Sequence, residues 1–157
     1  MMKAMRFSVA GLAAVVAAVA FGGAEVVEIP VEISNPGFEE GKAGWSFQPN
    51  MSVDGTVARS GRASAHVVVR DFAKETTVLT QLVPVDGSAQ YAVSAWVKAA
   101  DVKFAKGRTK SVGAGLIVEW YGKDRKWLDG GQFDCDRFGT ADWQQVRCAK
   151  IPAPADA

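Results

Sequence analysis

Hydrophobic and polar residues alternate with a period of two along most of the chain after residue 25. Such alternation is typical of β-strands that bury one face and show the other to water. The pattern predicts seven strands, over residues 26–33, 52–59, 63–70, 76–83, 91–98, 112–121 and 143–151. Turn sequences rich in Gly, Asp and Asn separate them, and helical periodicity is lacking here. The sequence therefore predicts an all-β fold, an antiparallel β-sandwich.

The first two dozen residues have a different pattern. Lys3 and Arg6 precede an uncharged, mostly apolar run over residues 7–21, and Gly-Gly-Ala follows at 22–24. This is the layout of a secretory signal peptide. A membrane anchor is the alternative, but the run is shorter than the roughly 20 residues of a spanning helix. We expect a signal peptide over 1–24, a single domain over 25–157, and a secreted or periplasmic protein without membrane attachment after cleavage.

The charge is small and evenly distributed. The chain has 18 Lys and Arg against 17 Asp and Glu, for a formal net charge of +1. Nucleic-acid binding and attachment to acidic membranes both need a concentrated basic surface. We therefore expect no nucleic-acid partner, and we expect a monomer.

Two cysteines, Cys135 and Cys148, flank a turn between two strand-like runs. In an exported protein an even number of cysteines favours a disulfide. The sequence predicts a bond between these two residues, and a pair of free thiols is the alternative. Two cysteines with one distant His do not form a zinc site.

Two of the predicted strands carry bulky residues on both faces. Trp96 lies on the polar face of its strand, and Tyr121 lies opposite Trp120 in the next one. Either a loop covers these aromatic rings or they form a platform for a ligand. Flat sugar rings bind to exposed aromatic faces. Nearby amide, carboxylate and guanidinium groups hydrogen-bond the sugar hydroxyls. The candidate sugar-binding residues are Trp96, Tyr121, Trp127, Glu119, Arg70 and Gln132.

Catalysis has weaker support in the sequence. Glu39 and Glu40 are adjacent, so on an extended chain they point to opposite sides and cannot act together on one bond. His66 is the single His and stands within a strand-like run. The sequence contains no nucleophile motif such as G-x-S-x-G. We expect a protein that is not an enzyme.

The ordered set of motifs resembles the carbohydrate-binding modules of the family 4, 9 and 22 type. The motifs are NPGFE at 35–39, SGRAS at 60–64, QLVPV at 81–85, YAVSAWVK at 91–98 and DWQQV at 142–146. The resemblance extends from about Ser34 to Ala157. It implies a jelly-roll sandwich of the galactose-binding-like type that binds β-glucans, xylans and related polysaccharides. It also implies a module attached to a glycoside hydrolase or a similar secreted protein.

The resemblance further implies a structural calcium ion. The two turns at NPGFEE and RSGRAS offer oxygen ligands, although their spacing alone is a weak signal. By position the ligands would be Glu39 with backbone groups near Gly37, Ser60 and Arg62. Modules of this type continue into further strands that supply an Asp ligand, so the resemblance implies that this sequence lacks its last strand or strands. An interaction domain without a glycan site remains the alternative function.

Overall fold

The structure is a computed structural model, and it describes most of the chain. The described residues are 4–7, 13–19, 27–71, 74–75, 78–87, 89–103 and 113–157. In these ranges the secondary structure is β-strand, turn and irregular segment, with no helix. No described helix is therefore long and apolar enough to cross a membrane. The predicted all-β class and antiparallel pairing are confirmed.

Ten strands form three sheets. The strands are β1 (Ala4–Phe7), β2 (Ala13–Val19), β3 (Val27–Val31), β4 (Met51–Asp54), β5 (Ser64–Val67), β6 (Leu82–Pro84), β7 (Gln90–Val102), β8 (Ala114–Tyr121), β9 (Trp127–Arg137) and β10 (Gly139–Pro152). The first sheet has the order β6-β1-β8-β9, and the second has the order β10-β7-β2-β3. A third, two-stranded sheet pairs β4 with β5. All these pairings are antiparallel.

The core lies between the first two sheets. Alternate residues of β7, from Tyr91 to Val97, are buried and face the buried residues of β8, Leu116, Val118 and Trp120. The rings of Tyr91 and Trp120 meet across this space with centroids 5.7 Å apart. Because strand side chains alternate between faces, the same arrangement directs Trp96, Glu119 and Tyr121 away from the core.

The Asn35–Trp45 segment forms a compact corner. The Asn35 side chain donates to the carbonyls of Gly41 and Ala43 and accepts from the Glu40 N–H. Phe38 is buried, and its ring packs against Trp45 at 5.1 Å between centroids. The Trp45 indole N–H donates to the carbonyls of Ser34 and Asn35. This corner therefore closes on its own backbone while it contributes two aromatic rings to the core.

Three strands were not predicted from the sequence, and the strands predicted over 52–59, 63–70 and 76–83 are shorter in the structure. The structure adds β9, which the alternation did not predict because Asp129, Gly130 and Gly131 interrupt it. It also places β1 and β2 within residues 1–24, so part of the predicted signal peptide forms strands, and its other residues lie outside the described ranges. Predicted strand residues 26, 76–77 and 112 lie outside those ranges too. Cleavage of a signal peptide stays a prediction.

A β-bulge in β9 accounts for the position of its side chains. The pairing of β8 with β9 shifts in register between Ala114, which pairs with Arg137, and Leu116, which pairs with Asp134. The extra residue reverses the alternation, so Phe133 points outward while Cys135 is buried. The bulge brings β9 so close that a Cβ on Gly115 would lie 2.0 Å from the Asp134 carbonyl oxygen. Gly115 is thus needed for this geometry.

Candidate functional site

The six predicted sugar-binding residues do not lie on one surface. Glu119, Tyr121 and Trp127 share the outer face of the first sheet, whereas Trp96 lies on the outer face of the second. Arg70 and Gln132 belong to neither surface. The structure therefore brings together three of the six residues.

The shared surface, which we call the aromatic face, is formed by β8 and β9. Tyr121 pairs directly with Trp127 and Ile117 with Phe133. Directly opposite residues of an antiparallel pair place their side chains on the same face. Trp127 is 56% exposed and Phe133 is 73% exposed, while Tyr121 and Ile117 are half-buried. Two pairs of apolar and aromatic side chains thus lie on a solvent-accessible strip of sheet.

Glu119 supplies the polar group of the aromatic face. It lies between Ile117 and Tyr121 on the same side of β8, and both Glu119 and Tyr121 are half-buried. The Tyr121 hydroxyl donates to the Glu119 carboxylate at 3.3 Å. A carboxylate next to aromatic rings can accept hydrogen bonds from sugar hydroxyls, so this pair has the chemistry of a polar anchor.

Phe133 is the member of the aromatic face that the sequence did not predict. Its neighbours Gln132 and Asp134 are polar, and simple alternation would place it on the same side as Cys135. The bulge overturns that assignment. Two signals could have identified it: Gly115, which permits a close approach of β8 to Asp134, and the position of Phe133 at the start of the acidic FDCD sequence at 133–136.

The turn between β8 and β9 fixes the end of the aromatic face. Gly122 and Lys126 are joined by a hydrogen bond from the Gly122 N–H to the Lys126 carbonyl at 2.9 Å. Within the turn, the Arg125 N–H donates to the Gly122 carbonyl, also at 2.9 Å. Arg125 has φ of 62°, in the left-handed region. This region costs a residue with a side chain about 1–2 kcal/mol relative to ordinary helical backbone.

An open pocket of about 470 Å³ adjoins the aromatic face at this turn. Tyr121 and Arg125 line it on one side, and Ser46, Thr80 and Leu82 line it on the other, with Gly44 and Gln81. The volume falls within the range of about 300–1,000 Å³ that small-ligand pockets have. Tyr121 therefore belongs both to the exposed strip and to a concave site at its end.

Gln81 is a structural residue of this pocket. Its side-chain carbonyl accepts from the Ser34 N–H at 2.9 Å, and its amide donates to the carbonyls of Ser34 and Gly44, each at 2.9 Å. Gly44 has φ of 78°, and a Cβ there would lie 2.8 Å from the Ser34 Cβ. These contacts hold the wall of the pocket in place.

The other three predicted sugar-binding residues, Trp96, Arg70 and Gln132, lie outside the aromatic face. The Arg59 guanidinium lies over the Trp96 ring, 4.1 Å from its centroid. Arg70 is exposed in the loop after β5. Gln132 pairs with the inward-facing Val118, and its side-chain oxygen accepts from the Ala149 N–H at 3.0 Å. The last contact links β9 to β10 at the border of the two sheets.

Glu39 is surrounded by hydrogen-bond donors. One carboxylate oxygen accepts from the backbone N–H groups of Arg62 at 2.7 Å and Ala63 at 3.3 Å, and the other contacts the Arg62 Nε at 3.3 Å. The Arg62 N–H is the main cause of a pKa below the usual value for Glu39. Gly61 has φ of 69°, and a Cβ there would lie 2.2 Å from the Glu39 carboxylate. Glu39 thus joins the two predicted calcium turns directly.

This arrangement does not fit the predicted calcium site. N–H groups and a guanidinium favour an anion, and a cation at the same carboxylate would face them. Gly37 and Ser60 lie in the same two turns, but within the described ranges there is no group of three or more His, Cys, Asp or Glu residues that could hold a metal. Calcium binding would require Glu39 to turn away from Arg62 and Ala63, and it stays a prediction.

Cys135 and Cys148 are two buried free thiols in the structure, and the predicted disulfide is not formed. Burial raises the pKa of Cys135 to about 12, with a further contribution from Cys148. Burial also raises the pKa of Cys148, to about 11. The Cys135 thiol donates to the Leu116 carbonyl at 3.1 Å. The electrostatic effect of Cys148 on Cys135 indicates that the two thiols lie near each other, on β9 and β10.

Comparisons of the chain with protein-family models, with curated proteins and with solved structures find no match. A functional assignment therefore depends on the geometry of the aromatic face and its pocket.

Proposed function

We propose that this protein is an exported, non-catalytic module that binds polysaccharide through the aromatic face. The observation that supports this most is the Tyr121–Trp127 pair, with the two rings opposite each other on an accessible strip of sheet. Aromatic rings can stack on the apolar faces of sugar rings, and the adjacent Glu119 can accept from sugar hydroxyls. Phe133 extends the strip by a further residue pair along β9.

The ligand class follows from the motif resemblance. It favours β-glucans and xylans, a sandwich of jelly-roll type and a position beside a glycoside hydrolase. We further propose cleavage after residue 24, a secreted or periplasmic location and a monomeric state. An open surface of this kind suits an extended chain of sugars, and weak affinity, in the micromolar to millimolar range, is expected of so few contacts.

Isothermal titration against β-glucan, xylan, mannan and alginate tests this proposal. We expect heat of binding with at least one of them, and Trp127→Ala should weaken that binding by about tenfold, which corresponds to roughly 1.4 kcal/mol. Two matched controls lie elsewhere: Trp96→Ala changes an aromatic residue of the other sheet, and Val69→Ala changes an exposed apolar residue. Absence of heat with every polysaccharide would refute the proposal.

A second candidate is a domain that binds another protein and has no glycan site. The exposure of Phe133, together with Leu82 at 45%, favours it, because exposed apolar patches often mark protein interfaces. The two candidates separate experimentally. Phe133→Ala should leave polysaccharide affinity nearly unchanged if Trp127 and Tyr121 carry it, whereas a protein interface centred on Phe133 would lose affinity for its partner.

A further inference from the structure

The pocket at the end of the aromatic face contains a buried hydroxyl that no described residue pairs with. Thr80 is 8% exposed and lines the pocket. Its backbone carbonyl accepts from the Ser46 N–H at 2.8 Å, but its side-chain hydroxyl makes no hydrogen bond with any described residue. Buried polar groups are nearly always satisfied, so an unpaired one that lines a pocket marks a position for a ligand group.

Arg125 brings a positive charge to the same pocket. It is exposed, and within the described part of the chain it forms no ion pair. The neighbouring acid, Asp124, is occupied by Lys126, with 2.8 Å between the carboxylate and Nζ. The Arg125 guanidinium is thus the unneutralised group at the pocket, and guanidinium groups bind carboxylates with charge-assisted hydrogen bonds.

The backbone of Arg125 gives a second reason to regard it as functional. Its φ of 62° lies in the region that glycine adopts most easily. Strained residues of this kind concentrate at binding sites, where the side chain has a role that glycine could not fill. Here the strained turn places Arg125 at the pocket together with Tyr121, at the end of the aromatic face.

We propose that this pocket binds the terminal unit of a polysaccharide chain, and that this unit carries a carboxylate, as in a uronic acid. This inference rests on the proposed function and specifies its ligand. In this arrangement Arg125 binds the carboxylate, the Thr80 hydroxyl pairs with a sugar hydroxyl, and Tyr121 contacts the ring. The following sugars extend along the aromatic face over Trp127.

Monosaccharide titrations followed by NMR isolate the pocket from the aromatic face. We expect glucuronate or galacturonate to bind about tenfold more tightly than glucose or galactose, since one charge-assisted contact distinguishes them. The shifted resonances should include Thr80 and Arg125. Arg125→Gln should remove the preference for the acid, Arg125→Lys should keep part of it, and Thr80→Val should weaken both sugars severalfold.

Arg125→Gly separates binding from stability. It relieves the strained backbone, so the thermal midpoint should stay the same or rise while the preference for uronate is lost. Polysaccharide titration in parallel distinguishes the two proposals. If a polysaccharide binds but uronates and neutral sugars bind equally, or if Arg125→Gln has no effect, the terminal-uronate inference is wrong and the aromatic-face proposal stands. If neither polymer nor monosaccharide binds, both are wrong.

Discussion

The guanidinium group of Arg59 lies over the indole ring of Trp96, 4.1 Å from the ring centroid. Arg59 belongs to the loop before β5, and Trp96 belongs to β7, so the contact fastens a loop to the outer face of the second sheet. The sequence left two alternatives for Trp96, a ring covered by a loop or a platform for a ligand, and the Arg59 contact corresponds to the first of them.

Arg59→Ala should expose the Trp96 ring and destabilise the protein by about 0.5–1 kcal/mol, the range of exposed cation–π contacts. The tryptophan emission should shift to longer wavelength and the thermal midpoint should fall by about 1–4 °C. Arg70→Ala, which changes an exposed arginine in the loop after β5, serves as a control. An unchanged emission spectrum in Arg59→Ala would contradict the contact.

The Tyr91 hydroxyl accepts from the Asp86 N–H at 2.6 Å and donates to the Asp86 carbonyl at 3.0 Å. Tyr91→Phe keeps the ring against Trp120 but leaves both backbone groups without this partner. We expect a loss of about 1–2 kcal/mol in the free energy of unfolding, measured by denaturant titration. Tyr121→Phe is the matched control on the solvent side and should cost less. Equal costs for the two variants would show that the Asp86 contacts contribute little.

Some of this architecture follows from local sequence and some does not. Alternation along Tyr91–Val97 predicts the buried side of β7 because one side chain in two faces the core. Phe133 and Cys135 could not be assigned in this way, since the bulge at Asp134 depends on how β9 pairs with β8. Likewise, the sequence identified Tyr121 and Trp127 as candidates but not the pocket beside them. Thr80 lines that pocket together with Tyr121 although it lies 41 positions earlier in the chain, and only the fold brings the two residues together.

Glu39 should make stability depend on pH. Its pKa in the folded protein lies below the ordinary value of 4.5, chiefly because the Arg62 N–H stabilises the carboxylate. A lowered pKa means that the contribution is fully present above about pH 4.5 and is lost as the pH falls through the folded-state pKa. Glu39→Gln should therefore lower the thermal midpoint at pH 7 and make its decline between about pH 5 and pH 3 shallower.

Scanning calorimetry across that pH range measures the effect, with Glu40→Gln as the adjacent control. The same experiment with added calcium tests the metal prediction. If Glu39 keeps the donors described above, calcium should leave the thermal midpoint unchanged. An increase that Glu39→Gln abolishes would instead support a calcium site.

Cys135 and Cys148 should react slowly while they are reduced. Burial raises the pKa of Cys135 to about 12 and that of Cys148 to about 11, so few thiolates are present at pH 8. We expect alkylation to be slow in the native protein and fast in denaturant.

The predicted disulfide is tested by the intact mass under non-reducing conditions, in protein taken from an oxidising compartment. A disulfide would lower this mass by two hydrogen atoms. Rapid alkylation of the reduced native protein would contradict the buried positions.

The strands β1 and β2 connect the fold with the predicted signal peptide. In the structure β1 lies between β6 and β8, and β2 lies between β7 and β3. Removal of residues 1–24 would therefore leave four strand edges unpaired, and unpaired edges promote association between chains. If β1 and β2 belong to the folded protein, the 25–157 protein should unfold at a lower temperature than the full chain and self-associate, as measured by calorimetry and light scattering; the proposed cleavage after residue 24 requires the opposite result. Val16→Pro in the full chain should reduce stability as well, since proline in a central strand removes a ladder hydrogen bond. If the shorter protein is instead a monomer with the same thermal midpoint, residues 1–24 contribute nothing to the sandwich and export is their remaining role.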